Sequence, residues 1–93
     1  MKEREIALKV LLSMEQKQSY SNLELNRQLE KHDLPQREKN LTTRIVYGVL
    51  QNRTNLDHII GTYSKLPLKK ISPEVLNILR IGIYQLTKMD KVP

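Results

Sequence analysis

Ser72-Pro73-Glu74-Val75-Leu76-Asn77-Ile78-Leu79-Arg80-Ile81-Gly82-Ile83-Tyr84-Gln85-Leu86 is the stretch from which the rest of this chain can be read. It opens with a hydroxyl that can accept a hydrogen bond from a free backbone amide, then a proline at the first helical position and an acid in the first turn. Together these are the signals of a helix start. Val75, Leu76, Ile78, Leu79, Gly82, Ile83 and Leu86 then cover nearly half of a helical circumference, so a helix is expected to about Lys88, at the centre of the fold. Ile81 lies outside that arc and needs a further neighbour if it too is buried. Glycine inside a helix costs about 1 kcal/mol relative to alanine, so Gly82 reads as a notch where another backbone comes close. Ile45-Val46-Tyr47-Gly48-Val49-Leu50 repeats the pattern, with Gly48 as a second notch.

Working outward, apolar residues recur at helical spacing and no useful length of alternation suggests a strand, so the class is all-α with about five helices. The first helix is expected from about Arg4 to Lys17 on Ile6, Ala7, Val10, Leu11 and Met14, widened by Leu8 and Leu12. Gln18 to Tyr20 form a polar break, where Tyr20 staples the helix entry or stacks on a base. Ser21 and Glu24 then form a capping box for a thin second helix to about His32. Asp33-Leu34-Pro35 separates it from a third helix, which runs to about Gln51 on Leu41, Ile45, Val46, Val49 and Leu50. A fourth, capped by Thr54 or Asn55, carries Leu56, Ile59, Ile60 and Tyr63, with Asp57 as an acid suited to the helix dipole. Ser64 to Ile71 make a loop with Lys65, Lys69 and Lys70.

The 93 residues allow one domain, residues 1–93, and contain no cysteine, which removes disulfides, thiolate metal sites and a cysteine nucleophile and suits a reducing, cytoplasmic location. No signal peptide or membrane-length apolar run is present. His32 and His58 are 26 residues apart without a supporting ligand set and read as surface residues, so no metal is expected. The glycines are too dispersed for a phosphate loop, and no serine sits in a nucleophile context, so no catalytic residues are expected. Charge is more informative. The net charge is +6, yet residues 1–33 hold six basic and six acidic side chains, leaving ten basic against four acidic in the remainder. That asymmetry points to a polyanion. Candidate phosphate contacts are the N-terminal Lys2, Arg4 and Lys9 and the loop Lys65, Lys69 and Lys70, with Arg53 nearby.

Leu56-Asp57 with Ile59, Ile60 and Tyr63, then Val75-Leu76, Leu79 to Leu86 and Val92-Pro93, resemble the NusB antitermination-factor superfamily over essentially the whole chain. Arg4-Glu5-Ile6-Ala7, Tyr20-Ser21-Asn22-Leu23 and Val46-Tyr47-Gly48-Val49-Leu50 are most similar to the N-terminal domain of the Sun/RsmB (Fmu) family of 16S ribosomal RNA cytosine-5 methyltransferases. The resemblance implies a non-catalytic, NusB-like helical bundle that binds ribosomal RNA beside a covalently linked methyltransferase domain. S-adenosylmethionine and the catalytic cysteine would belong to that absent domain, and no cofactor is expected on this chain. By the same resemblance Lys2, Arg4 and Arg53 match the family's RNA-contacting regions, and Lys69 and Lys70 join them from the charge pattern. The N-terminal Lys2-Glu3-Arg4-Glu5 is less arginine-rich than in NusB itself, which implies modest affinity. The alternative is a free-standing antitermination or protein-docking module. Family members continue into one or two further helices, so the chain is expected to be a fragment whose exposed apolar surface allows self-association.

Overall fold

The computed structural model describes residues 2–17 and 22–89. The polar break with Tyr20, the cap Ser21 and the terminal Val92-Pro93 pair lie outside the described residues. Five α-helices follow one another, α1 (Lys2–Lys17), α2 (Asn22–His32), α3 (Gln36–Gln51), α4 (Arg53–Tyr63) and α5 (Pro73–Tyr84), with no strand among the described residues. A single 3-10 turn, Leu68–Lys70, interrupts the loop before α5, and a π-helical turn, Gln85–Met89, continues it.

The centre is shared between α1 and α5: α2, α3 and α5 pack against α1, and α1, α3 and α4 pack against α5. In α1, Ile6, Ala7, Val10, Leu11 and Met14 are buried, as their spacing requires, and they meet Ile45, Val46 and Val49 from α3 and Leu25 and Leu29 from α2. The short joints have local causes. Asp33 closes α2 with a positive φ of 48°, a conformation that aspartate tolerates better than most side chains. Asn52 joins α3 to α4 in one residue, its backbone and side-chain amides both donating to the Gly48 carbonyl. Thus α4 starts at Arg53, ahead of the expected Thr54 or Asn55 cap. At α5 the expected start is present, with Ser72 accepting from the Val75 amide at 3.3 Å and Pro73 in the first turn.

The face that α5 buries is not the aliphatic one. Asn77, Arg80, Ile81 and Tyr84 point inward, whereas Val75, Ile78, Leu79 and Leu86 are exposed, Leu86 to 71%. Ile81, placed outside the apolar arc by periodicity, is 3% exposed. The reason is that α5 has two helical faces, and the polar one finds acidic partners on α1 and α4 that local periodicity does not register.

The two glycines also part company. A methyl group at Gly48 would collide with the Tyr84 ring, so α3 and α5 do approach closely there. At Gly82 an added methyl meets nothing within 4 Å among the described residues, so no described backbone fills the notch inferred there. Only the Glu24 end of the expected capping box falls within the described residues. The Glu24 carboxylate is taken up by Ser13, Lys17, Arg27 and Gln28, joining α2 to α1.

Candidate nucleic-acid interface

Arg80 dominates the electrostatics of the interior. Its side chain is 3% exposed, and its planar guanidinium faces the Asp57 carboxylate as a fork, with Nε donating to Oδ1 at 2.7 Å and Nη2 to Oδ2 at 3.0 Å. The Nη1 group donates to Glu15 Oε1 at 3.1 Å and to Asn77 Oδ1 at 3.0 Å. Arginine fits this role because its donors are rigidly arranged and its charge is permanent. Asp57 is therefore an ion-pair partner a full turn inside α4 rather than an acid serving the helix dipole. These contacts tie α1, α4 and α5 together and fix how the surfaces around them are presented.

The candidate cations divide into three places. Lys2, Arg4 and Lys9 are exposed along α1, and Arg4 lies beside Ile78, Gly82 and Gln85 in the second half of α5. Lys65, Lys69 and Lys70 are exposed before the start of α5. At about 1.5 Å per helical residue, the length of α5 separates Arg4 from Lys69 and Lys70, so the sequence-expected residues do not form one cluster. Arg53 lies between them in sequence and leans on the interior network, with Nη2 3.5 Å from Glu15 Oε1. Part of its charge is thereby answered within the fold.

The loop that carries the lysines is shaped by its own chemistry. Ser64 Oγ accepts from the Leu66 amide and donates to the Leu66 carbonyl, and the 3-10 turn packs back against α4. Lys65, Lys69 and Lys70 thus project from a defined turn, together with Tyr63, which is 85% exposed. Among the described residues no group of three or more His, Asp or Glu could hold a metal ion. His58 is exposed as expected, but His32 is half-buried and its Nε2 is buried without a hydrogen-bond partner among the described residues. No described helix is long and apolar enough to cross a membrane.

The NusB family matches residues 1–93, the whole chain. The chain belongs to the NusB family. Within it, the probable ribosomal RNA small subunit methyltransferase B of Bacillus subtilis is 38% identical over 90 residues, covering 97% of this chain and 20% of that protein. The corresponding methyltransferase of Thermus thermophilus is 34% identical over 82 residues, covering 88% of this chain and again 20% of the relative. The transcription antitermination protein NusB of Acetivibrio thermocellus is 33% identical over 91 residues, covering 97% of the chain and 63% of that protein. This NusB-family chain therefore spans about a fifth of its methyltransferase relatives, matching their N-terminal region, and just under two thirds of the Acetivibrio antitermination protein. No solved structure matches it significantly.

Arg80 and Glu15 are the consequential residues that reading the sequence missed. The available signal was an arginine in the middle of the most apolar helix. Such a charge is buried only when it is paired, and Asp57 one helix earlier was the nearest candidate.

Proposed function

We propose that this chain is a non-catalytic RNA-binding domain that helps position 16S ribosomal RNA for a covalently linked, S-adenosylmethionine-dependent cytosine-5 methyltransferase. The observation that carries the reading is the match of nearly the whole chain to a fifth of each methyltransferase relative, which is what one module of a multidomain enzyme looks like. The cysteine that such an enzyme uses on the cytosine ring has no counterpart in a chain without cysteine. S-adenosylmethionine and the methyl transfer therefore belong to the linked domain.

The contribution of this chain is positional. Lysine and arginine contacts to phosphates hold a nucleic acid in register without reading its sequence. Lys2 and Arg4 at one end of α5, and Lys69 and Lys70 at the other, would grip the backbone at two separated points, which orients an RNA better than a single patch. Arg53, held against Glu15, would add a weaker contact between them. A cytoplasmic location follows from an rRNA substrate.

Titrating a 16S ribosomal RNA fragment at low and moderate salt, with the chain and with Lys69→Glu/Lys70→Glu, tests this reading. Weak binding that falls with salt, and falls further in the double variant, is expected. Affinity that ignores salt, or ignores both substitutions, removes the basic loop from the account.

A free-standing antitermination or protein-docking role is the second reading, favoured by the fuller coverage of the Acetivibrio relative. The downstream reading frame separates the two. A cysteine-bearing methyltransferase domain supports the first, and a stop within about two helices, the size of a short helix pair, supports the second.

A further inference from the structure

Tyr63 is the member of the α4 apolar stripe that the fold leaves outside. Leu56 and Ile60 are buried, whereas Tyr63, on the same side by spacing, is 85% exposed. Gly61 and Thr62 are exposed as well, and three successive positions at about 100° each take in most of a helical circumference, so the last turn of α4 stands clear of the other described helices. The chain that leaves it is held in a fixed course. Ser64 is extended, its amide donates to the Ile60 carbonyl, its Oγ engages both the amide and the carbonyl of Leu66, and the Lys70 and Ile71 amides close the 3-10 turn on Pro67 and Leu68. Lys65, Lys69 and Lys70 are exposed on this turn, and residues 58–73 include no aspartate or glutamate. Asp57, on one flank of that run, is engaged by Arg80, which leaves Glu74 on the other flank as the nearest acid in sequence. The turn lies at the Pro73 end of α5, more than about 20 Å along the helix from Met89.

We infer that Tyr63 is a base-stacking residue: an unpaired RNA base lies on its ring while Lys65, Lys69 and Lys70 hold neighbouring phosphates. This rests on the RNA-binding reading and adds to it a contact that charge does not supply. A large ring left in water recovers its burial only when something flat covers it. Stacking on aromatic side chains is how splayed single-stranded bases are held, and it tolerates any sequence because every base has a flat face. A base inside a duplex has both faces covered by its neighbours, so the ring favours single strands, whereas the lysines hold phosphates of either form. The ordered turn contributes as well, because cations on a backbone already fixed lose less freedom when the strand arrives. The acid-free run from 58 to 73 keeps the approach of a polyanion unopposed beside the ring.

Binding of oligoadenylate, alone and annealed to oligouridylate, to the chain and to its Tyr63→Ala and Tyr63→Phe variants at several salt concentrations tests the inference. Tyr63→Ala is expected to weaken single-strand binding about tenfold, within the range of one base–aromatic stack. The salt slope should stay the same, because stacking releases no counterions. Duplex binding should not change, and Tyr63→Phe should bind like the wild type, since the ring rather than the hydroxyl carries the stack. Helicity by circular dichroism checks that both variants are folded. A wild-type chain that binds neither form overturns the RNA-binding reading and this inference with it. Salt-dependent binding that Tyr63→Ala leaves unchanged overturns the stacking inference alone and leaves the ring to a protein surface. Equal losses for single strand and duplex, or a phenylalanine variant no better than alanine, overturn it too.

Discussion

Gly48 and Gly82 sit in nearly interchangeable surroundings along the chain, each among branched aliphatics and next to or near a tyrosine, yet they do different work. Tyr84, from the second stretch, lies over Gly48 in the first and is itself only 8% exposed, so its ring cannot swing clear of a new side chain without disturbing the core. Gly48→Ala is therefore expected to lose stability by about 1–3 kcal/mol through overpacking, more than the roughly 1 kcal/mol gained in helix propensity. Gly82→Ala, facing open space, should keep that gain, up to about 1 kcal/mol. Urea unfolding of the two variants measures both, and shifts of the same sign would contradict the assignment. A larger residue such as leucine at Gly82 is likewise expected to spare the fold, against the expectation from sequence. Nothing local distinguishes the two positions, because what fills or vacates the space beside a glycine comes from another part of the chain.

Two ionic clusters set how the helices are held. Removing the Arg80 charge leaves Asp57 and Glu15 facing a low-dielectric interior without their common partner. Because both carboxylates are about a quarter exposed, the cost of Arg80→Met falls at the lower end of that for a broken buried pair, about 3 kcal/mol. Arg80→Lys should recover only part of it, since an ammonium cannot form the two-bonded fork to Asp57. Thermal unfolding compares them, and equal stability of the lysine variant and wild type would argue that charge alone suffices.

Between α1 and α2, the Arg27 guanidinium first, with Ser13, Gln28 and Lys17 adding to it against the opposing effect of burial, holds the Glu24 carboxyl well below its ordinary value of 4.5. A carboxyl lowered in the folded state stabilises it fully above the unfolded value and loses that contribution as pH falls through the folded one. The domain should therefore lose stability on acidification below about pH 4.5. Glu24→Gln should flatten this limb, as denaturation midpoints between neutral and acid pH would reveal. Periodicity located all five helices, Ser72-Pro73-Glu74 marked the start of α5, and both survive in the structure. The partners of Glu24 and Arg80 on other helices, among them Ser13, Asp57 and Glu15, were not legible, since these are 11 to 65 residues away.

At the scale of the whole molecule, the candidate phosphate-contacting lysines and Arg4 form two exposed groups rather than one. Each phosphate neutralised contributes about 0.7–0.9 to the slope of log affinity against log salt. Reversing Lys69 and Lys70 should accordingly lower the slope by about 1.5 while leaving the contribution of Lys2 and Arg4, and titrations at several ionic strengths would show it. An unchanged slope would place the RNA elsewhere. The sequence by itself determined the all-helical class, the apolar stripes of α1 and α3, the basic later portion and the family, because these depend on local spacing, composition and residue order. Only the tertiary structure decided that α1 shares the centre with α5, that α5 buries Arg80 and Asn77 while its aliphatic face remains exposed, and that the basic groups lie apart. Those outcomes depend on which distant side chains meet, and a helix with two plausible faces does not state which one its neighbours will cover.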